Sequence, residues 1–178
     1  MALELDTKVV LLSKSEKNTQ STTDFGGGLT DDFLQWFVGF SDGESNFSIV
    51  PMYDKSGTPY KFSFRFAIGL HIDDKNALVS MHNLLAVGRI NETNDECKFI
   101  VSDAEGLRKL ISIFDKYKLN TTKYLDYMDF KEAFNLYHSR NGVITEELKD
   151  KLLKFKSGMN SNRINFNMPS NHIKITTY

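Results

Sequence analysis

Trp36-Phe37-Val38-Gly39-Phe40-Ser41-Asp42-Gly43-Glu44-Ser45-Asn46-Phe47-Ser48-Ile49 changes its period half-way along. Apolar side chains three and four apart give way to strict alternation. The first half reads as a helix capped by Thr30 or Asp31, with Phe33, Trp36, Phe37 and Phe40 as its apolar stripe. Gly39 removes a side chain from that helix at a cost of roughly 1 kcal/mol relative to alanine. Such a cost is usually recovered where another backbone or helix approaches closely. The helix ends by delivering Asp42 and Glu44, either side of Gly43, to the start of a strand. Negative charge gains nothing from the helix dipole at that end. The two carboxylates therefore point to a divalent cation or, more plainly, to a solvated cap on the turn.

Outward from this stretch, the chain organises into helices and hairpins. Residues 46–53 read as a strand, with Phe47, Ile49 and Pro51 alternating against Ser48, Val50 and Met52. Across the turn Asp54-Lys55-Ser56-Gly57, the alternation becomes clearer. Phe62, Phe64, Phe66, Ile68 and Leu70 face one way, and Lys61, Ser63, Arg65, Ala67 and Gly69 the other. Asp73 or Asp74 opens a helix with Leu78, Met81, Leu84 and Leu85 on one side. Residues 87–91 and 97–101 form a second hairpin around Thr93-Asn94-Asp95. A helix over 104–117 turns Leu107, Leu110, Ile111 and Phe114 inward, and further helices are expected near 123–138 and 145–156. The class is α+β: one αββαββα unit of antiparallel hairpins, with no internal repeat. Residues 1–29 read as a disordered tail, 30–156 as the folded unit, and 157–178 as an irregular, linker-like segment.

Composition narrows the classes. With 178 residues, 40% apolar and 12% aromatic, the chain has material for one ordinary core. No run of about 18 apolar residues offers a membrane span, and residues 1–11 are too acidic for a secretory or transit leader. A single cysteine, Cys97, excludes an internal disulfide framework and a cysteine-rich zinc site, and the four histidines have no ligand spacing. A bias to lysine (17 against 5 arginines), asparagine and phenylalanine (14 each) hints at an AT-rich genome.

Phe37 to Ser45 resembles the signature nonapeptide of LAGLIDADG homing endonucleases, with Ser45 in place of the usual final glycine. Leu70-His71-Ile72-Asp73-Asp74-Lys75, Asp115 to Lys123 and Tyr127 to Phe134 resemble later landmarks of that family, so the likeness covers roughly residues 33–156. It implies a DNA-facing saddle and a site-specific, intron-encoded double-strand endonuclease that hydrolyses phosphodiesters with Mg²⁺. Glu44 would be the metal acid, with Ser45 beside it. Lys123 would stand near the active site to screen transition-state charge, unless it is an ordinary solvated helix lysine.

The same resemblance implies that two such units must assemble, in one chain or as a dimer. Phe37, Val38, Gly39, Phe40 and Gly43 would form the interface between units. The last residues, Met168 to Tyr178, resemble the segment leading into a second signature helix, which suggests the first half of a two-unit protein. The family alternatives are an intron RNA-splicing maturase and an inactive half-protein. A mitochondrial location follows from the same likeness.

The wet faces of the hairpins are the natural DNA surface, since a twisted sheet enters the major groove. By alternation this face holds Asn46, Ser48, Val50, Met52, Lys61, Ser63, Arg65, Arg89, Asn91 and Lys98. Arg65 and Arg89 suit guanine, and Lys61 and Lys98 suit phosphate or base. An ordinary solvated sheet face would show the same alternation. Charge gives little help: the net is −1. Residues 46–101 carry six bases (Lys55, Lys61, Arg65, Lys75, Arg89, Lys98) against six acids (Asp54, Asp73, Asp74, Glu92, Asp95, Glu96).

Overall fold

A computed structural model describes residues 28–172. Helix α1 spans Asp31–Glu44, capped by the Thr30 hydroxyl, which accepts from the Phe33 N–H at 3.2 Å. Strands β1 (Ser45–Tyr53) and β2 (Pro59–His71) follow, then a 3₁₀ turn and α2 (Lys75–Leu85). The second hairpin is β3 (Arg89–Glu92) with β4 (Glu96–Val101), followed by α3 (Ala104–Lys116), α4 (Lys123–His138) and α5 (Glu146–Ser157). The four strands form one antiparallel sheet in the order β1-β2-β4-β3, so the hairpins join through their longer inner strands.

The alternation read from sequence holds through the register. Phe47 pairs with Phe66, and Ile68 with Phe99, on the covered face; Ser48 pairs with Arg65, and Met52 with Lys61, on the other. Under the covered face lies an aromatic core. Phe47 meets the rings of Phe66, Phe114, Tyr127 and Phe130, while Phe64 meets Phe130 and Phe134. The Tyr127 hydroxyl donates to Asp115 Oδ1 at 2.6 Å, and burial raises its pKa above the ordinary tyrosine range.

Three helix faces differ from expectation. On α1 the buried residues are Leu34, Phe37, Val38 and Ser41, while Trp36 is 47% exposed. The aromatic stripe therefore straddles the helix rather than lining one side. On α2, Leu78, Met81 and Leu85 are buried but Leu84 points out; on α3, Ile113 is fully buried while Ile111 is only partly buried against the core. On α1 and α2 two adjacent apolar residues, Trp36 with Phe37 and Leu84 with Leu85, compete for one inward position, and spacing alone does not choose.

The ends carry more structure than expected. Leu29 is buried in the core, although its tail (residues 1–27) lies outside the described residues. Beyond α5, Met159 is buried, and Arg163 Nε donates to Asp126 Oδ1 at 2.8 Å while its NH2 pairs with Asp129. The segment after α5 is thereby strapped to α4. Residues 173–178, the last part of the expected link to a second unit, lie outside the described residues.

Candidate functional site

The two acids of the opening stretch have different fates. Asp42 Oδ2 accepts from the Asn120 N–H at 2.7 Å. Its Oδ1 accepts from the Thr121 N–H at 3.0 Å and the Thr121 hydroxyl at 2.8 Å. Asp42 thus holds the loop that leads into α4, and charge-assisted bonds of this kind offset its unfavourable place at a helix C-terminus. Glu44 is exposed at the last helical position and has no hydrogen bond or ion pair among the described residues. Asp42 is thus neither a solvated cap on its own turn nor free for an ion, while Glu44 has no structural partner among the described residues.

Fixing that loop sets Lys123. It is the first residue of α4, and its ammonium donates to the Ser45 carbonyl, one residue from Glu44. A half-buried ammonium is thereby tied to the backbone residue that follows an exposed carboxylate, from a segment 78 positions further along the chain. Ser45 departs from expectation. Its hydroxyl donates to the Ser41 carbonyl at 2.6 Å and is buried, so it turns away from any ion held by Glu44. Its φ of −88° is ordinary extended backbone, so serine meets no strain where the nonapeptide usually ends in glycine.

As a donor set, Glu44 supplies one hard anionic oxygen. Among the described residues no group of three or more His, Cys, Asp or Glu could hold a metal ion. A lone carboxylate suits a small divalent cation that keeps several waters, with remaining ligands from elsewhere.

The outer side of α1 is open. A Cβ built at Gly39 or Gly43 would meet nothing within 4 Å. Trp36 and Phe40 stack beside them with ring centroids 5.2 Å apart. Of the expected interface residues, Gly39, Phe40 and Gly43 lie on this side. Phe37 and Val38 do not, because they are in this unit's own core at 0% and 3% exposure. Trp36 belongs with the open side and was missed; its spacing of three to Gly39 and seven to Gly43 is the signal that marks it.

All ten expected reading-face residues lie on the uncovered side of the sheet, most of them exposed. They are not all free. Lys98 pairs with Glu96 at 2.6 Å, and beside the sheet Lys75 pairs with Glu92 at 2.8 Å. Arg89, in register with Ile100 across β3 and β4, donates to the Ser102 hydroxyl at 3.2 Å. Arg65 and Lys61 have no ion pair among the described residues. Cavities of about 590 and 460 Å³ open along α4 and α5, away from Glu44, so here concavity does not mark the site.

A family model described as LAGLIDADG endonuclease matches residues 37–134. The chain belongs to the LAGLIDADG family. Among its relatives, the uncharacterized mitochondrial protein RF1 of Saccharomyces cerevisiae is 30% identical over 98% of this chain and 34% of its own length. A probable intron-encoded endonuclease, Cox1-I1b of Schizosaccharomyces pombe, is 34% identical over 61% of this chain and 29% of its own length. The chain thus spans about a third of the curated relatives it matches. Among solved structures, the LAGLIDADG homing endonuclease I-GzeII in complex with its DNA target superposes with a TM-score of 0.65 at 30% identity. That match covers 81% of this chain and 53% of the other. I-SmaMI, bound to uncleaved DNA target in the presence of calcium ions, gives 0.65 at 26% identity, covering 71% of this chain and 44% of the other. The αββαββα unit is therefore a LAGLIDADG fold. Among the described residues no helix is long and apolar enough to cross a membrane.

Proposed function

We propose that this chain supplies one half of a site-specific, intron-encoded double-strand DNA endonuclease of mitochondrial origin. The observation that carries the reading is Glu44, an exposed carboxylate without a partner among the described residues, at the end of a helix whose outer side is bare. A second unit packed against Trp36, Gly39, Phe40 and Gly43 would bring a second acid beside the first. The pair would then hold a divalent cation, Mg²⁺ by the hardness of the ligands. Bound there, the ion would polarise the phosphate and lower the pKa of its water. Within this chain, Asp42 holds the α4 entry loop, the loop holds Lys123, and Lys123 places positive charge where the phosphate gathers negative charge. The uncovered sheet face, with Arg65 and Lys61 free, would lie in the major groove.

The test is Mg²⁺-dependent cleavage of a randomised DNA library by the assembled protein, compared with Glu44→Gln. Specific cleavage lost in the variant supports the reading. Binding to intron RNA without any DNA cleavage sinks it in favour of a splicing maturase.

A further inference from the structure

At the outer edge of β1, next to the expected reading face and sharing Ser48 with it, a small polar cavity of about 190 Å³ is lined by Ser48, Ile49, Lys156, Asn160, Ser161 and Asn162, with Met159 completing it. We propose that this cavity binds one backbone phosphate of the duplex whose bases the adjacent sheet reads; the proposal rests on the DNA-binding reading above.

Lys156, Ser48, Ser161 and Asn162 bring donors to the lining, and no carboxylate lines it. Lys156 is exposed in the last turn of α5 and has no ion pair among the described residues. Its helix neighbours Lys149 and Lys151 are tied to Glu146 and Glu147 at 2.6 and 2.7 Å. Ser161 and Asn162 add a hydroxyl and an amide, and Ser48 a second hydroxyl. The strand contributes as well. Phe47 turns its carbonyl outward to Asn160 Nδ2 at 3.0 Å, and the ladder runs without a register break to Met52. With a period of two, the Ile49 N–H also points outward, to the cavity side. Pro51 stands two further on, at a position where an edge strand can spare its N–H.

The cavity is also held in shape before any ligand arrives. Asn160 adopts a left-handed backbone at φ 57°, which asparagine tolerates. Its N–H donates to Asp126 Oδ1 at 2.9 Å, and its side chain bridges the Phe47 carbonyl and Asn46 Nδ2, the latter at 3.0 Å. Arg163 locks the far side of the turn to Asp126 and Asp129. A fixed donor cluster carrying one mobile ammonium suits a phosphate better than a base edge, which would need acceptors as well as donors. The location matters too. Asn46, two residues from Glu44, is tied to the same turn, so a phosphate seated here would fix the duplex against β1 in register with the metal acid.

The test is the salt dependence of binding by the full 178-residue chain to a mixed-sequence 30-bp duplex, where phosphate contacts dominate. Loss of one phosphate contact flattens the slope of log K against log salt by about 0.9. Lys156→Gln should flatten it by about that amount and Lys156→Arg should restore it. Lys151→Gln, the same charge change on the other side of α5, should leave it alone. An unchanged slope in Lys156→Gln with normal wild-type binding overturns this proposal and spares the function. A flattened slope on mixed-sequence RNA but not on DNA overturns it as well. A wild-type chain with no salt-dependent affinity for the duplex overturns both.

Discussion

The two sides of α1 are built to opposite standards. The inward side, Leu34, Phe37, Val38 and Ser41, is closed by this chain: Phe37 alone meets the rings of Phe33, Phe66 and Phe114. The outward side carries an exposed tryptophan, a stacked phenylalanine and two glycines with open space above them. A helix half-finished in this way teaches where stability stops and assembly begins. Glycine in a helix interior lowers stability, and nothing among the described residues packs against Gly39 or Gly43 to offset that.

The largest effect should fall at the boundary between the two sides. Glu44→Gln is expected to reduce Mg²⁺-dependent cleavage by about a thousandfold, the equivalent of several kcal/mol of lost charge stabilisation. The melting temperature should stay unchanged, because Glu44 has no partner in the fold among the described residues. A variant that loses both would mean the acid is structural. Phe37→Ala tests the closed side and should cost about 3–5 kcal/mol in urea unfolding. A small loss would show that this side is less complete than its burial implies.

Asp42→Ala removes three accepted hydrogen bonds and should cost about 1–3 kcal/mol. It should also slow cleavage through Lys123, by less than Glu44→Gln does; intact stability with slow cleavage would reassign Asp42 to the chemistry. Gly39→Ala gives the smallest shift and the opposite sign. The chain alone should gain about 0.5–1 kcal/mol, while sedimentation should show weaker pairing with a second unit. A loss of stability in the isolated chain would mean that something in this unit already covers Gly39.

Most of the architecture was legible because it is written in short-range periods. Phe62, Phe64, Phe66, Ile68 and Leu70 of β2 alternate over nine residues, and Thr30 caps α1 through the Phe33 N–H. What could not be read involves partners far apart. The role of Asp42 depends on Asn120 and Thr121, and that of Lys123 on the Ser45 carbonyl, 78 residues away. Phe37 and Val38 miss the open side because a helix divides consecutive residues between two sides, and their side is closed by this unit's own core. The charge sum of the sheet region also says nothing of position: Lys75 and Lys98 are paired with Glu92 and Glu96 in the fold, while Lys61 and Arg65 have no ion pair among the described residues.

The margins of the sheet carry one further consequence. An uncapped edge strand is an invitation to a neighbour's strand, and from there to fibres. Here β1 presents Pro51 and has its Phe47 carbonyl covered by Asn160, while the opposite edge, β3, is only four residues long and carries Arg89 and Glu92. Copies of the chain at high concentration are thereby denied indefinite sheet extension. The α1 surface that remains open is a compact patch, suited to closed pairs over open-ended polymers.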